Sequence, residues 1–156
     1  MKKLLGMILT LALAAGLAWP VYAESSTVPP EVTAHAYLVM DAQTGQVLVQ
    51  KGGAERNYPA SITKIMTLAL AMEKCGGDMT QQVTVSPDAV YSLEAGSSHV
   101  ALQPGEVVSL NDLFHATILA SANDAANVLA EYTAGSMEAF VELMNAKAAE
   151  LGLAGT

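Results

Sequence analysis

Ser61-Ile62-Thr63-Lys64 puts a hydroxyl and an ammonium three residues apart where a helix is expected to start. Side chains at that spacing share one helix face, with Cβ atoms about 5–6 Å apart, so the two groups can touch. A hydroxyl beside an amine that can take its proton is the equipment of nucleophilic catalysis. The start of a helix adds backbone N–H groups and the positive end of the helix dipole, both favourable to an anion forming near Ser61. Four residues also admit a plainer reading, in which Ser61 caps the helix and Lys64 reaches into solvent. Sixty residues further on, Ser121-Ala122-Asn123 falls in a break between two expected helices. Such a break presents side chains into a cleft rather than along a helix flank.

Ser-x-x-Lys followed by Ser-x-Asn matches two of the three motifs of penicillin-interacting serine enzymes. The neighbouring residues narrow the match. Val39-Met40-Asp41-Ala42-Gln43-Thr44-Gly45 and Pro59-Ala60-Ser61-Ile62-Thr63-Lys64-Ile65-Met66-Thr67 resemble the serine-type D-alanyl-D-alanine carboxypeptidases, the low-molecular-mass penicillin-binding proteins. So do Leu119-Ala120-Ser121-Ala122-Asn123-Asp124-Ala125-Ala126-Asn127 and Phe140-Val141-Glu142-Leu143-Met144-Asn145. The likeness runs from about Ala34 to the C-terminus. It implies an α+β fold, the α/β sandwich of the serine β-lactamase and penicillin-binding type. Of that fold this chain would hold an N-terminal antiparallel hairpin and a helical subdomain, with the later sheet strands missing.

The resemblance also implies roles. Ser61 would be the nucleophile, attacking the carbonyl of the penultimate D-Ala of a peptidoglycan stem peptide to form an acyl-ester that water then hydrolyses. Lys64 would be its general base. A free lysine, with a pKa of about 10.4, is less than about a thousandth neutral at pH 7. Lowering that pKa to near 7 costs about 4 kcal/mol, within reach of burial and a cationic neighbour. Ser121 would relay a proton to the departing amine, and Asn123 would hold Lys64 and the substrate amide in register. No metal or organic cofactor is implied. The partners would be stem peptides ending in D-Ala-D-Ala, with β-lactam antibiotics as covalent inhibitors of Ser61. Many members hold to the membrane by a C-terminal amphipathic helix, a segment not present here.

The family's third motif, Lys-Thr-Gly or Lys-Ser-Gly, does not occur: Lys147 is followed by Ala148-Ala149, and no lysine comes later. In the family it lies on a later strand, binds the substrate carboxylate and leads to half of the oxyanion hole. Loss of one oxyanion donor lowers a rate roughly a hundred- to a thousandfold. Residues 24–156 are therefore expected to be the N-terminal part of a longer catalytic domain, without useful turnover alone. A serine β-lactamase shares both motifs and is the nearest rival. A non-catalytic peptidoglycan-binding module is the alternative if the coding sequence ends at Thr156. His35, His99 and His115 lack metal-ligand spacing, and no Gly-x-Ser-x-Gly elbow is present. His115 is expected to be a partly buried packing residue on a helix, and Cys75 a small buried apolar one rather than a reactive thiol.

The elements that would position these residues are legible from pattern. Residues 35–40 and 46–50 are β-rich runs around Asp41-Ala42-Gln43-Thr44-Gly45, a hairpin signal. After a loop over 52–60, a helix is expected from Ser61 to Cys75, stopped by Gly76-Gly77. Residues 82–86 alternate as a short strand, and the chain after Pro87 reads as irregular up to a Pro104-Gly105 turn. Ser109 with Asp112 caps a helix over 110–120. Asp124 opens another to about Ala134, closed by Gly135, and Ser136 caps a third. On that third helix Met137, Phe140, Val141, Met144, Ala148 and Leu151 share one face and read as core.

Composition sets the outer bounds. The 156 residues are 52% hydrophobic and 14% charged, suited to one domain rather than several. Lys2 and Lys3 stand apart from the other cations; over residues 24–156, five cations face fifteen anions, a net charge of −10. So acidic a chain has nothing with which to neutralise phosphates, which argues against nucleic-acid binding. Clear apolar periodicity argues against disorder. A single cysteine excludes an intrachain disulfide framework. Met1-Lys2-Lys3, an uncharged stretch over 4–23 and Val21-Tyr22-Ala23 read as a cleaved signal peptide, residues 1–23. A membrane anchor is the other reading of that stretch. An exported protein would work in the periplasm or at the outer face of the cytoplasmic membrane.

Overall fold

The computed structural model describes residues 31–155, so the expected signal peptide over 1–23 lies outside the described residues. The chain divides into two units between Glu55 and Arg56.

In the first unit, the Asp41 carboxylate organises the turn that the sequence predicts. Its Oδ1 accepts from the Thr44 N–H at 2.7 Å, the Thr44 hydroxyl at 2.8 Å and the Gln43 N–H at 3.0 Å. These bonds hold the Asp41 carboxyl below the usual carboxylate range. Gly45 follows in the left-handed region, at φ +73°, where a side chain would be strained. The turn joins β1 (Tyr37–Met40) to β2 (Val47–Lys51) as an antiparallel pair, with Tyr37 opposite Lys51 and Val39 opposite Val49. Two strands cannot cover both of their own faces, and Leu38, Val39, Met40 and Leu48 stay about half exposed.

In the second unit, a 3-10 turn (Ala60–Thr63) leads into α1 (Lys64–Cys75). Ser61 therefore sits one tight turn ahead of the α-helix, not in its first turn as the pattern suggests. Gly76, at φ +60°, ends α1 and donates its N–H to the Met72 carbonyl. The strand expected over 82–86 is shorter: β3 (Gln82–Thr84) pairs antiparallel with β4 (Val107–Ser109). The second strand was not legible, being only three residues long.

The chain after Pro87 is not all irregular. Pro87–Tyr91 forms a short helix, α2, whose cap Ser86 accepts from the Ala89 N–H. Ser followed by Pro is itself a start signal, since proline fits the first helical position without needing its missing N–H. Three longer helices follow: α3 (Leu110–Leu119), α4 (Asn123–Ala134) and α5 (Met137–Glu150). Their starts follow the expected caps at Ser109 and Ser136, and Gly135 closes α4 at φ +87°.

Helix α4 is the centre of this unit and packs against α1, α2, α3 and α5. Ala125 and Ala130, both fully buried, let neighbouring backbones approach closely, while Val128 and Leu129 fill the space between. Leu110, Leu113 and Phe114 complete the core from α3. Cys75 is buried in the same cluster, as the sequence suggests. Two expectations fail here. His115 is exposed, with Nδ1 2.7 Å from the Asn111 carbonyl one turn back, because Leu113 and Phe114 already occupy the inward face of α3. On α5 only Phe140 and Ala148 are buried; Val141 and Leu151 are more than half exposed. The helix packs through a narrower stripe than its sequence pattern suggests.

Candidate active site

Two left-handed residues shape the serine-bearing turns. Ala60, at φ +47°, turns the chain into the 3-10 segment, and Ser121 itself sits at φ +53° between α3 and α4. Non-glycine residues in this region are strained and persist only where surrounding structure fixes them, often at functional sites. The turn at Ser121 is fixed on both sides. The Ala120 and Ala122 N–H groups both donate to the Ala116 carbonyl at 3.2 Å, and Ala122 is fully buried.

The consequence is convergence of residues far apart in sequence. The hydroxyl oxygens of Ser61 and Ser121 lie 2.8 Å apart, a hydrogen bond. Ser61 caps nothing: no side-chain cap bond forms at the start of the 3-10 turn or of α1. In a 3-10 turn side chains three apart eclipse one another, so Lys64, the first residue of α1, shares the face of Ser61. The Lys64 ammonium donates to the Asn123 Oδ1 at 2.8 Å. Lys64 is 9% exposed, and burial lowers its pKa from the ordinary lysine value by disfavouring the charged form. All four residues singled out from sequence thus meet at one place.

The loop between α2 and β4 supplies a part that sequence reasoning overlooked. Its Ser98 carbonyl accepts from both the backbone N–H of Asn123, at 2.8 Å, and the Asn123 Nδ2, at 2.9 Å. Asp124, next along α4, is 1% exposed and also faces that loop, accepting from the N–H groups of Val100 and Leu102. A polar residue at the start of a helix reads from sequence as a cap, so nothing in the pattern pointed to a loop twenty residues upstream.

One cleft contains Ser61, Lys64 and Asn123. Its far wall is formed by Met137, Val141 and Met144 of α5, and the loop contributes Glu94 and Ser97. The α5 residues read as core from sequence are therefore partly a cleft wall. Chemically, the site offers an exposed hydroxyl, a second hydroxyl in hydrogen-bond contact, and an amine whose burial favours its neutral form. Of the histidines, His35 Nε2 lies 3.2 Å from the Glu55 carboxylate, and His99 Nδ1 accepts from the Ala101 N–H.

Similarity to known proteins covers nearly the whole chain. Residues 23–156 match the family model described as D-alanyl-D-alanine carboxypeptidase. The chain is 41% identical to the D-alanyl-D-alanine carboxypeptidase DacC of Escherichia coli over 86% of its own length. It is 34% identical to DacF of Bacillus subtilis over its full length. It spans 35% and 41% of those two relatives. Among solved structures, penicillin binding protein 6B from Escherichia coli aligns with a TM-score of 0.77 at 37% identity, covering 85% of this chain and 44% of that one. Penicillin binding protein 5 from Haemophilus influenzae aligns with a TM-score of 0.73 at 36% identity, covering 82% and 38%. The α+β fold expected from the sequence is the fold of these neighbours. On the match of its residues 23–156, the chain belongs to the D-alanyl-D-alanine carboxypeptidase family.

Proposed function

We propose that the complete gene product is a serine-type D-Ala-D-Ala carboxypeptidase that removes the terminal D-Ala from peptidoglycan stem pentapeptides. The observation that carries this reading is the contact set at one cleft: Ser61 with Ser121, and Lys64 with Asn123.

The chemistry follows from that contact set. Neutral Lys64 takes the Ser61 proton as Oγ attacks the carbonyl of the penultimate D-Ala, giving a tetrahedral oxyanion. Ser121, bonded to Ser61, passes a proton to the departing D-Ala nitrogen as the C–N bond breaks and takes one back from the Lys64 ammonium, which leaves the amine neutral again. Water then attacks the Ser61 ester as Lys64 takes its proton, the acyl C–O bond to Ser61 breaks, and that proton returns to the Ser61 Oγ as the shortened peptide leaves with a new carboxyl group. Asn123 holds the Lys64 amine in place throughout and offers its amide to the substrate. A β-lactam would enter the same path and stop at the ester. No step needs a metal or an organic cofactor.

These 156 residues carry two of the family's three motifs, and the relatives they match are more than twice as long. Carboxylate recognition and the second oxyanion donor belong to the third motif, so the activity is assigned to the whole protein. Residues 1–23 serve as the export signal in this reading, and the work is done outside the cytoplasm on the cell wall.

The test is covalent labelling of the complete gene product by a fluorescent penicillin, with Ser61→Ala as control and D-Ala release measured in parallel. Stoichiometric labelling lost in Ser61→Ala, together with D-Ala release, is expected. Rapid turnover of penicillin without D-Ala release would make the protein a β-lactamase. Binding of stem peptide with neither reaction would make it a recognition module.

A further inference from the structure

We infer that Asp124 is a positioning residue that sets the orientation of Asn123 and, through it, the place of the Lys64 amine. The inference rests on the carboxypeptidase reading of the Ser61 site but concerns a residue outside its four contact groups.

The Asp124 carboxylate is almost wholly buried, and backbone N–H groups surround it. Oδ2 accepts from Leu102 at 3.0 Å and Oδ1 from Ala125 at 2.9 Å, while the Val100 N–H lies 3.2 Å from both oxygens. Between the two loop donors stands Ala101, at φ +62°. A left-handed residue between two N–H groups turns both towards one side, making a concavity suited to an anion. The anion here is the side chain of Asp124. A strained alanine held this way needs over-determination by its surroundings, and the carboxylate provides it.

The fixed segment begins two residues after Ser98, whose carbonyl accepts both the backbone and the side-chain N–H of Asn123. That carbonyl decides which way the Asn123 amide points. With Nδ2 committed to Ser98, Oδ1 must face Lys64, and it does, at 2.8 Å. The path is thus Asp124 to Val100 and Leu102, along the backbone to the Ser98 carbonyl, and through Asn123 to Lys64. Each link is a hydrogen bond or a short run of chain. Misplacement of a reacting group by about 1 Å lowers a rate by about a hundredfold, so loosening this segment should be visible in chemistry.

The experiment uses the complete gene product with Asp124→Asn and Asp124→Ala, and Val128→Ala as a control for lost stability in the same helix. Asn keeps one acceptor oxygen and folds more readily if the Ala variant does not. Two readouts are taken on folded protein: hydrogen exchange of the Asn123 backbone amide, and the rate of Ser61 acylation by a fluorescent penicillin. The Asn123 amide bonds Ser98, not Asp124, so it reports transmission. We expect Asp124→Asn to lose protection at Val100, Leu102 and Asn123, and to acylate about ten- to a hundredfold more slowly. Val128→Ala should lower the melting temperature and change neither readout. Protection retained at Asn123 while Val100 and Leu102 open, or acylation within about twofold of the parent, would overturn the inference. A parent protein that is not labelled at Ser61 would fail the carboxypeptidase reading instead, and the exchange data would still decide the positioning role.

Discussion

The Asn123 side chain stands between two partners of opposite character: its Oδ1 accepts from the Lys64 ammonium at 2.8 Å, and its Nδ2 donates to the Ser98 carbonyl at 2.9 Å. Rotating the amide by half a turn would set NH₂ against the ammonium and oxygen against the carbonyl. Both contacts would become repulsive, so a single orientation is selected. The bond joins the first residue of α1 to the first residue of α4. The geometry of the site is therefore tied to the packing of the two helices.

Replacing Asn123 by Asp tests what this contact does to the lysine. A carboxylate beside Lys64 favours the ammonium and opposes the lowering that burial produces. Each unit by which the pKa rises reduces the neutral fraction tenfold. Acylation of Ser61 by a penicillin at pH 7 should fall by about tenfold or more, and the acid limb of its pH profile should move to higher pH. An unmoved limb would show that Asn123 does not control the protonation of Lys64.

Lys64→Arg separates charge from proton transfer. Burial lowers the lysine pKa, so the neutral amine accumulates as pH rises and reaches half below the ordinary value of about 10.4. The parent rate should therefore climb with pH over that range. A guanidinium keeps its proton across it. The Arg variant should be slow, by about a hundredfold or more, and should gain nothing at alkaline pH. Recovery of the Arg variant at high pH would remove Lys64 from the role of base.

Much of this was legible in the sequence, and the divisions have physical causes. Caps at Ser109 and Ser136 and the glycine stops at Gly76 and Gly135 act through local hydrogen bonds and local φ preference, so residue type alone reveals them. That Ser61 and Ser121 serve one site follows from motif resemblance alone, because no local rule joins residues sixty apart; their hydrogen bond is visible only in the fold. What escaped depends on tertiary partners. Val107–Ser109 is a strand only because Gln82–Thr84 lies beside it. Asp124 looks like an ordinary first-turn acid until the loop at 100–102 is seen to close over it. The apolar face of α5 was sized from periodicity, which cannot say that Val141 lines a cleft.

Ser121 combines a backbone duty with a hydroxyl, and two substitutions part them. Glycine adopts φ +53° without strain, whereas alanine keeps the strain. Ser121→Gly and Ser121→Ala should lose acylation to a similar extent, since each lacks the oxygen that meets Ser61. Their stabilities need not agree, and the glycine variant should unfold no earlier than the alanine one. If Ser121→Gly acylates at the parental rate while Ser121→Ala does not, the backbone turn rather than the hydroxyl is what the chemistry uses.

Thr117 predicts a gain in stability away from the site. It lies on α3, is 1% exposed, and its hydroxyl oxygen has no hydrogen-bond partner among the described residues. A buried hydroxyl without a partner costs about 1–3 kcal/mol. Valine has the same shape, and both residues are β-branched, so side-chain entropy and helix propensity change little. Thr117→Val should stabilise the fold by about 1 kcal/mol and raise the melting temperature by a few degrees. Thr117→Ser keeps the unpaired oxygen and removes a packed methyl, so it should melt below the parent. A valine variant that melts below the parent would mean that the hydroxyl is satisfied in solution, by water or by the carbonyl one turn back along α3.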